Sequence, residues 1–156
     1  MQFEKGQIFK TDEEKLSVAI AEAHLGLSEG GIPIGAALFD ENGALLGSGH
    51  NLRVQEGDAS MHGETSAFRN AGRQRSYRKV TLATSLSPCW YCSGLIRQFG
   101  IGRVLVGDDK NFMGGQDWVA EHGAEVHVMN DPGLIKLMAE FIENNDALWN
   151  EDIGED

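Results

Sequence analysis

The feature that most constrains this 156-residue chain is the position of its only two cysteines. Both lie in the segment Pro88-Cys89-Trp90-Tyr91-Cys92, and a second polar segment, His62-Gly63-Glu64, precedes it. Thiolates and imidazole are ligands that zinc prefers, and a catalytic zinc site keeps three protein ligands with one position open for water. The pattern therefore predicts a zinc site formed by His62, Cys89 and Cys92, with the Glu64 carboxylate left free to move protons.

Three other uses of the cysteines remain open at this point. A C-x-x-C pair also suits a thioredoxin-like redox site, although that use gives no role to His62 and Glu64. A closed structural zinc site needs a fourth ligand, which His50 could supply from the end of a predicted strand. Two buried cysteines without any metal are the third interpretation.

Length and charge limit the number of domains and the kinds of partner. A chain of this length is expected to form one domain over residues 1–156. The formal net charge of −11 disfavours a nucleic-acid partner, because phosphate binding depends on Lys and Arg. Five of the thirteen Lys and Arg residues cluster between Arg69 and Lys79. This cluster could contact a polyanion, but we interpret it as a solvated helix end and loop. We expect no membrane partner, because no apolar stretch is long enough to span a bilayer.

The cysteines and the N-terminus predict a cellular location. The first five residues, Met1 to Lys5, lack the basic and then apolar pattern of a signal peptide. Two cysteines that serve as metal ligands need a reducing environment. We therefore expect a cytoplasmic protein.

Hydrophobic periodicity and turn residues predict strands that alternate with helices. Helices are expected from Thr11 to about residue 29 and over 62–71, 89–99, 116–122 and 132–143, and strands over 34–39, 44–49, 79–84, 103–107 and 125–129. The first two strands should form an antiparallel hairpin through Asn42-Gly43. The order predicts an α/β fold, a three-layer α/β/α sandwich around a mixed five-stranded sheet.

The segment with His62 and the segment with the two cysteines are both expected at helix N-termini. Pro88 should lie in the first turn of its helix, where proline is tolerated. The positive end of a helix stabilises thiolates, so this position suits Cys89 and Cys92.

The H-x-E and P-C-x-x-C segments resemble the signature of the cytidine deaminase superfamily. Within it the chain is most similar to the small fungal-type cytosine deaminases. The similarity extends to residues 29–35, to Gly49-His50-Asn51 and to the C-terminal residues 149–155. It implies a cytidine deaminase-like fold, Zn²⁺ as cofactor, a homodimer packed through the motif helices, and hydrolysis of cytosine to uracil and ammonia in pyrimidine salvage.

The resemblance also implies which residues contact a small-molecule base. Glu64 would carry protons to the ring nitrogen and the leaving amine. The substrate contacts would come from Asn51, Gly63, Ser87, Phe112, Trp149 and Asp152. Asn51 would hydrogen-bond the ring, the Gly63 N–H would donate to the substrate, and the Ser87 carbonyl would accept from the leaving amine.

The C-terminal residues would close the site. Phe112 and Trp149 would cover the base, and Asp152 would contact its exocyclic amine and ring. Residues 146–156 would form a lid that leaves no room for a ribose, which favours a free base over a nucleoside or a polynucleotide.

Two segments depart from the fungal pattern and leave the exact base open. Trp90-Tyr91 replaces a smaller, more polar pair, and Met113-Gly114-Gly115 also differs; both segments could touch the substrate. A deaminase of guanine, of another aminated heterocycle or of a nucleoside therefore remains an alternative. A zinc-binding interaction module without activity is an alternative of another class, against which the intact Glu64 argues.

Overall fold

The computed structural model describes residues 3–155, so that Met1, Gln2 and Asp156 of the predicted domain and lid lie outside it. Over the described residues the elements are α1 (Asp12–Ser28), β1 (Gly35–Phe39), β2 (Leu45–His50), α2 (Arg53–Glu56), α3 (Gly63–Ala71), β3 (Thr81–Thr84), α4 (Trp90–Phe99), β4 (Arg103–Val106), α5 (Gln116–Glu121), β5 (Glu125–Val128), α6 (Pro132–Asn144) and α7 (Asp146–Asp152). Every predicted strand and helix is present, with ends shifted by one or two residues.

The strands form one sheet in the order β2-β1-β3-β4-β5. β1 runs antiparallel to β2 and β3, whereas β3, β4 and β5 are parallel. The turn between β1 and β2 is closed by the Asp40 carboxylate, which accepts from Asn42 N at 2.8 Å and from Ala44 N at 2.9 Å. Gly43 adopts a φ of 83°, which glycine tolerates without strain. The predicted mixed five-stranded sheet and its opening hairpin are confirmed.

Alternate residues of the strands point to two separate hydrophobic layers. Leu38, Leu82 and Val104 pack with buried side chains of α3, α4 and α5 on one face. Phe39 and Leu105 pack with α1 and α6 on the other face. Since a strand presents successive side chains to opposite faces, this sorting produces the predicted three-layer sandwich.

The helix starts explain how the two motifs are oriented. Thr11 caps α1, because its Oγ1 accepts from Glu14 N at 3.1 Å. The expectation for Pro88 is wrong, because Cys89 is the N-cap of α4 and Pro88 lies outside its first turn. His62 is the N-cap of α3. Both motifs therefore lie at helix N-termini.

Glycines in β1 and β2 allow helices to approach the sheet closely. A Cβ at Gly35 would lie 2.3 Å from the Ala19 carbonyl oxygen on α1, and a Cβ at Gly49 would lie 2.2 Å from Ser66 Oγ on α3. Only glycine fits at such distances, and this close approach brings the start of α3 beside β1. Within residues 3–155, no helix combines the length and the apolar character that a membrane crossing requires.

Candidate active site

The candidate metal ligands converge at the N-termini of α3 and α4. His62 Nδ1 lies 3.5 Å from Cys89 Sγ and 3.6 Å from Cys92 Sγ. The ligand atoms of these three residues all lie within 4.8 Å of one another. The sequence-predicted set is therefore brought together by the fold.

The charges of this cluster suit a divalent cation. Hydrogen bonding with Cys92, and then with His62, outweighs burial and lowers the pKa of Cys89 to about 4, so its sulfur is a thiolate. The adjacent Cys89 sulfur and burial raise the pKa of Cys92. A neighbouring positive ion is what would allow both sulfurs to ionise. An imidazole and two closely spaced sulfurs form the donor set that Zn²⁺ prefers, so these residues fit zinc.

Neighbouring groups fix the orientation of His62. Its backbone N–H donates to Thr65 Oγ1 at 2.8 Å, and that hydroxyl donates to the Ser60 carbonyl at 2.8 Å. The Tyr91 ring meets the imidazole edge to face at 4.9 Å. Burial opposes protonation of His62, but the Cys89 sulfur and the Glu64 carboxylate outweigh it and raise its pKa to about 9.

His50 does not belong to this cluster. Its Nδ1 and Nε2 atoms lie 2.7 Å from carboxylate oxygens of Glu22 and Glu29 on α1. Both ring nitrogens are thus occupied, which removes His50 as the fourth ligand of a closed zinc site. The two cysteines do not form a disulfide, and Cys92 is buried.

Glu64 lies in the first turn of α3 and is 4% exposed. Burial, together with the Cys89 thiolate, raises its pKa to about 7. A carboxyl group with such a pKa can both accept and donate a proton at neutral pH. Its position and environment agree with the proton-carrying role that the sequence predicts.

One cavity is lined by nearly all the predicted site residues. Its lining residues are Ile34, Asn51, His62, Gly63, Glu64, Leu86, Ser87, Cys89, Phe112, Trp149, Asp152 and Ile153. Of the predicted residues only Cys92, which is fully buried, is missing from this lining.

The polar side of the cavity is built around Asp152. Asn51 Nδ2 lies 3.3 Å and 3.4 Å from the two oxygens of the Asp152 carboxylate. Asn51 Oδ1 accepts from the backbone N–H of Arg53 at 2.9 Å, so the amide nitrogen is the end that remains toward the carboxylate. Asn51 therefore presents a donor beside the acceptor oxygens of Asp152.

Arg53 is a residue that the sequence did not identify. Its Nε donates to Asp152 at 2.9 Å and its Nη1 donates to Glu151 at 2.9 Å, so it ties α2 to α7. Bonding to Asp152 and Glu151 outweighs burial and raises the pKa of Arg53. No local pattern marks Arg53, since its partners lie at the other end of the chain.

The Ser87 hydroxyl is turned toward the protein. It donates to Gln116 Oε1 at 2.6 Å, and the Ser87 backbone N–H donates to the Asp108 carbonyl at 2.8 Å. With its side chain engaged in this way, Ser87 can offer its main chain to a ligand in the cavity. Gln116 is a second residue that the sequence did not identify.

Aromatic side chains form the cover of the cavity. Phe112 and Trp149 meet edge to face with ring centroids 5.8 Å apart. Trp149 is buried against Ile32, Met138 and Phe141, so α7 is anchored by an apolar contact. The two predicted aromatic covers therefore touch each other above the polar groups.

The two departing segments do not line the cavity. Trp90 and Tyr91 are 64% and 49% exposed, and Met113 is 50% exposed. Gly114 packs on the backbone of Pro88, where a Cβ would lie 2.5 Å from the carbonyl oxygen. Contact between these segments and the substrate therefore stays a prediction.

Comparison with known sequences finds proteins that are named as deaminases. The family model for the cytidine and deoxycytidylate deaminase zinc-binding region matches residues 9–108. A cytosine deaminase of Candida albicans is 45% identical over an alignment of 146 residues, which covers 92% of this chain and 97% of that protein. A tRNA-specific adenosine deaminase of Haemophilus influenzae is 34% identical over 99 residues, covering 62% and 57% of the two chains.

A solved structure supports the same architecture. A guanine deaminase from Nitrosomonas europaea superposes with a TM-score of 0.74 at 18% identity, covering 88% of this chain and 87% of that one. Similarity at this level of identity concerns the fold.

Proposed function

This chain belongs to the cytidine and deoxycytidylate deaminase family of zinc enzymes, and on that premise we propose that it hydrolyses free cytosine to uracil and ammonia. The observation that carries the choice of base is the pair Asn51 and Asp152, which offers a donor and an acceptor side by side inside a small aromatic-capped cavity. The similarity to the Candida albicans cytosine deaminase along most of both chains supports this choice.

His62, Cys89 and Cys92 would hold the metal. Zinc at such a site supplies Lewis acidity, which lowers the pKa of a bound water to about 7. Cys89 and Cys92 would provide negative charge at the N-terminus of α4 once the metal is bound. Thr65 holds the main chain of His62 at the start of α3, and the Tyr91 ring packs edge to face against its imidazole.

Glu64 carries the protons of the reaction. Its carboxylate takes a proton from the attacking water as a C–O bond forms at the ring carbon that bears the amine. The carboxyl group then passes that proton to the ring nitrogen, so no negative charge builds up on the ring. The carboxylate next takes the proton of the newly formed hydroxyl group and delivers it to the exocyclic nitrogen. The hydroxyl oxygen becomes the carbonyl oxygen of uracil as the C–N bond breaks, and ammonia leaves.

The polar residues hold the base in register with Glu64. Asn51 Nδ2 donates to the C2 carbonyl oxygen of the base, and the Asp152 carboxylate accepts from N–H groups of the base. The Gly63 N–H donates to the substrate, and the Ser87 carbonyl accepts from the amine. Because these groups are buried, an analogue that leaves one of them unpaired is rejected.

Residues 146–156, of which Asp156 lies outside the described residues, would act as a lid within the single domain of residues 1–156. Phe112 and Trp149 cover the base, and Ile153 closes the rim. We expect this cover to exclude a ribose, and the net charge of −11 disfavours a nucleic-acid partner.

We further propose that the protein is a cytoplasmic homodimer of pyrimidine salvage. The exposed apolar side chains of Trp90, Tyr91 and Phe99 lie along α4, and such a patch is typical of a protein interface. Free thiols at the metal site fit a reducing compartment. Sedimentation of the zinc-loaded protein tests the dimer, and growth of a pyrimidine auxotroph on cytosine tests the pathway.

A panel of bases tests the proposed reaction. Ammonia release is measured with zinc-loaded protein on cytosine, guanine, adenine and cytidine. We expect turnover of cytosine to exceed that of the other three by at least about a hundredfold, because buried polar groups reject mismatched ligands. Preferential turnover of guanine would instead support the alternative base, and ammonia from none of them at one zinc per chain would refute the proposal.

A further inference from the structure

We propose that Gln116, at the start of α5, is a positioning residue for the leaving-group end of the cavity. It fixes the Ser87 main chain through the Ser87 hydroxyl, and so sets where the Ser87 carbonyl meets the exocyclic amine. This inference rests on the proposed function, because the amine in question is the one that cytosine releases.

The contact between Ser87 and Gln116 is short and shielded from water. Ser87 Oγ donates to Gln116 Oε1 at 2.6 Å, and the two residues are 3% and 4% exposed. Gln116 Nε2 donates in turn to Asp109 Oδ2 at 3.1 Å, which fixes the amide so that its oxygen faces Ser87. Breaking a buried bond of this kind leaves a polar group unpaired, so the hydroxyl holds one rotamer.

The rest of this segment is held by the main chain. The Ser87 N–H donates to the Asp108 carbonyl at 2.8 Å, and Gly115 N donates to the Pro88 carbonyl at 3.1 Å. Because Ser87 precedes a proline, its backbone favours the extended region. Gln116 adds a side-chain hydrogen bond to Ser87, which lies between these two backbone bonds and lines the cavity.

A ligand without the exocyclic amine distinguishes positioning of the Ser87 carbonyl from a merely structural role of Gln116. Pyrimidin-2-one has the ring of cytosine but carries hydrogen in place of the exocyclic amine, so it makes no bond to the Ser87 carbonyl. Loss of the hydrogen bond from Gln116 should therefore lower kcat/KM for cytosine and leave the inhibition constant of pyrimidin-2-one unchanged.

The experiment compares Gln116→Ala and Gln116→Glu with wild type. The quantities measured are kcat/KM for cytosine, the inhibition constant of pyrimidin-2-one and the melting temperature. Gln116→Ala should lower kcat/KM about five- to tenfold, the effect of one hydrogen bond. The inhibition constant should stay within about twofold.

Gln116→Glu and one control variant separate positioning from stability. Gln116→Glu keeps an acceptor for the Ser87 hydroxyl but sets a carboxylate beside Asp109. Its melting temperature should fall while its preference for cytosine stays near that of wild type. Gln74 is half-buried and donates to the Ala71 carbonyl at 3.2 Å, so Gln74→Ala is the matched control and should change neither ligand constant.

Several results would overturn the inference. Gln116→Ala with wild-type kcat/KM for cytosine would do so, as would an equal loss for cytosine and pyrimidin-2-one. If Gln116→Ala does not fold, Ser87→Ala decides, because it keeps the carbonyl and removes the hydroxyl; it must reproduce the cytosine-specific loss. Wild-type protein that releases no ammonia from cytosine would refute the proposed function, and this inference with it.

Discussion

The Nε atom of Arg53 donates a 2.9 Å hydrogen bond to Asp152, and this bond joins residues that are 99 positions apart. The side chain of Asp152 is 4% exposed and lines the cavity, and that of Arg53 is 17% exposed. The ion pair therefore fastens α7 over the cavity and at the same time orients the carboxylate that we propose to contact the base.

Replacing Arg53 with Met should loosen the lid. The buried Asp152 carboxylate would lose a charged donor, which costs about 1–3 kcal/mol of unfolding free energy. We expect KM for cytosine to rise about tenfold, the effect of roughly 1.4 kcal/mol of lost binding. Arg69→Met is the control, because it removes an exposed pair with Glu56 away from the cavity and should change neither quantity by much. Identical kinetics for the two variants would contradict the role of Arg53.

His50 predicts a pH-dependent contribution to stability. Hydrogen bonding to Glu22, and then to Glu29, outweighs burial and raises the pKa of His50. Since the folded pKa lies above the unfolded one, this stability is full below about pH 6.5 and is lost as the pH rises through the folded pKa.

His50→Gln should therefore cost more unfolding free energy at pH 5.5 than at pH 9. Urea unfolding of both proteins over this range, with zinc in excess, measures the gap between their unfolding free energies. The gap should narrow as the pH rises. His24→Gln, at an exposed position of α1, should show no such trend. A gap that is constant across the range would show that protonation of His50 does not contribute.

Cys92→Ala should abolish zinc binding. Metal binding is coupled to folding, so wild type treated with a chelator should melt at about the temperature of the variant. Elemental analysis and thermal unfolding measure the two effects. A Cys92→Ala protein that keeps one zinc per chain would contradict the ligand assignment.

The sequence predicts the parts of this protein that carry local signals. Periodicity and turn residues predict the strands and the long helices. The spacing of His62, Cys89 and Cys92 predicts the metal cluster. α2 was not predicted, because four residues without a side-chain cap carry no periodic pattern. The helical form of the tail, α7, was missed for a similar reason, since its seven residues are stabilised by the contacts of Trp149 with the core.

Residues that act through distant partners could not be found in this way. Arg53 and Gln116 have ordinary sequence surroundings, and their importance depends on Asp152 and Ser87, which only the fold brings near. Pro88 shows the same limit on a smaller scale. Its position before the cap instead of inside the first turn follows from the use of Cys89 as the N-cap of α4.

The most direct test of the account compares wild type with Glu64→Gln on cytosine at one zinc per chain. The amide keeps the shape of the carboxylate but cannot accept a proton. Wild type should form uracil and ammonia in equal amounts, whereas the variant should bind zinc as well and turn over about 10³-fold more slowly. Equal rates for the two proteins, or no ammonia from zinc-loaded wild type, would contradict the account.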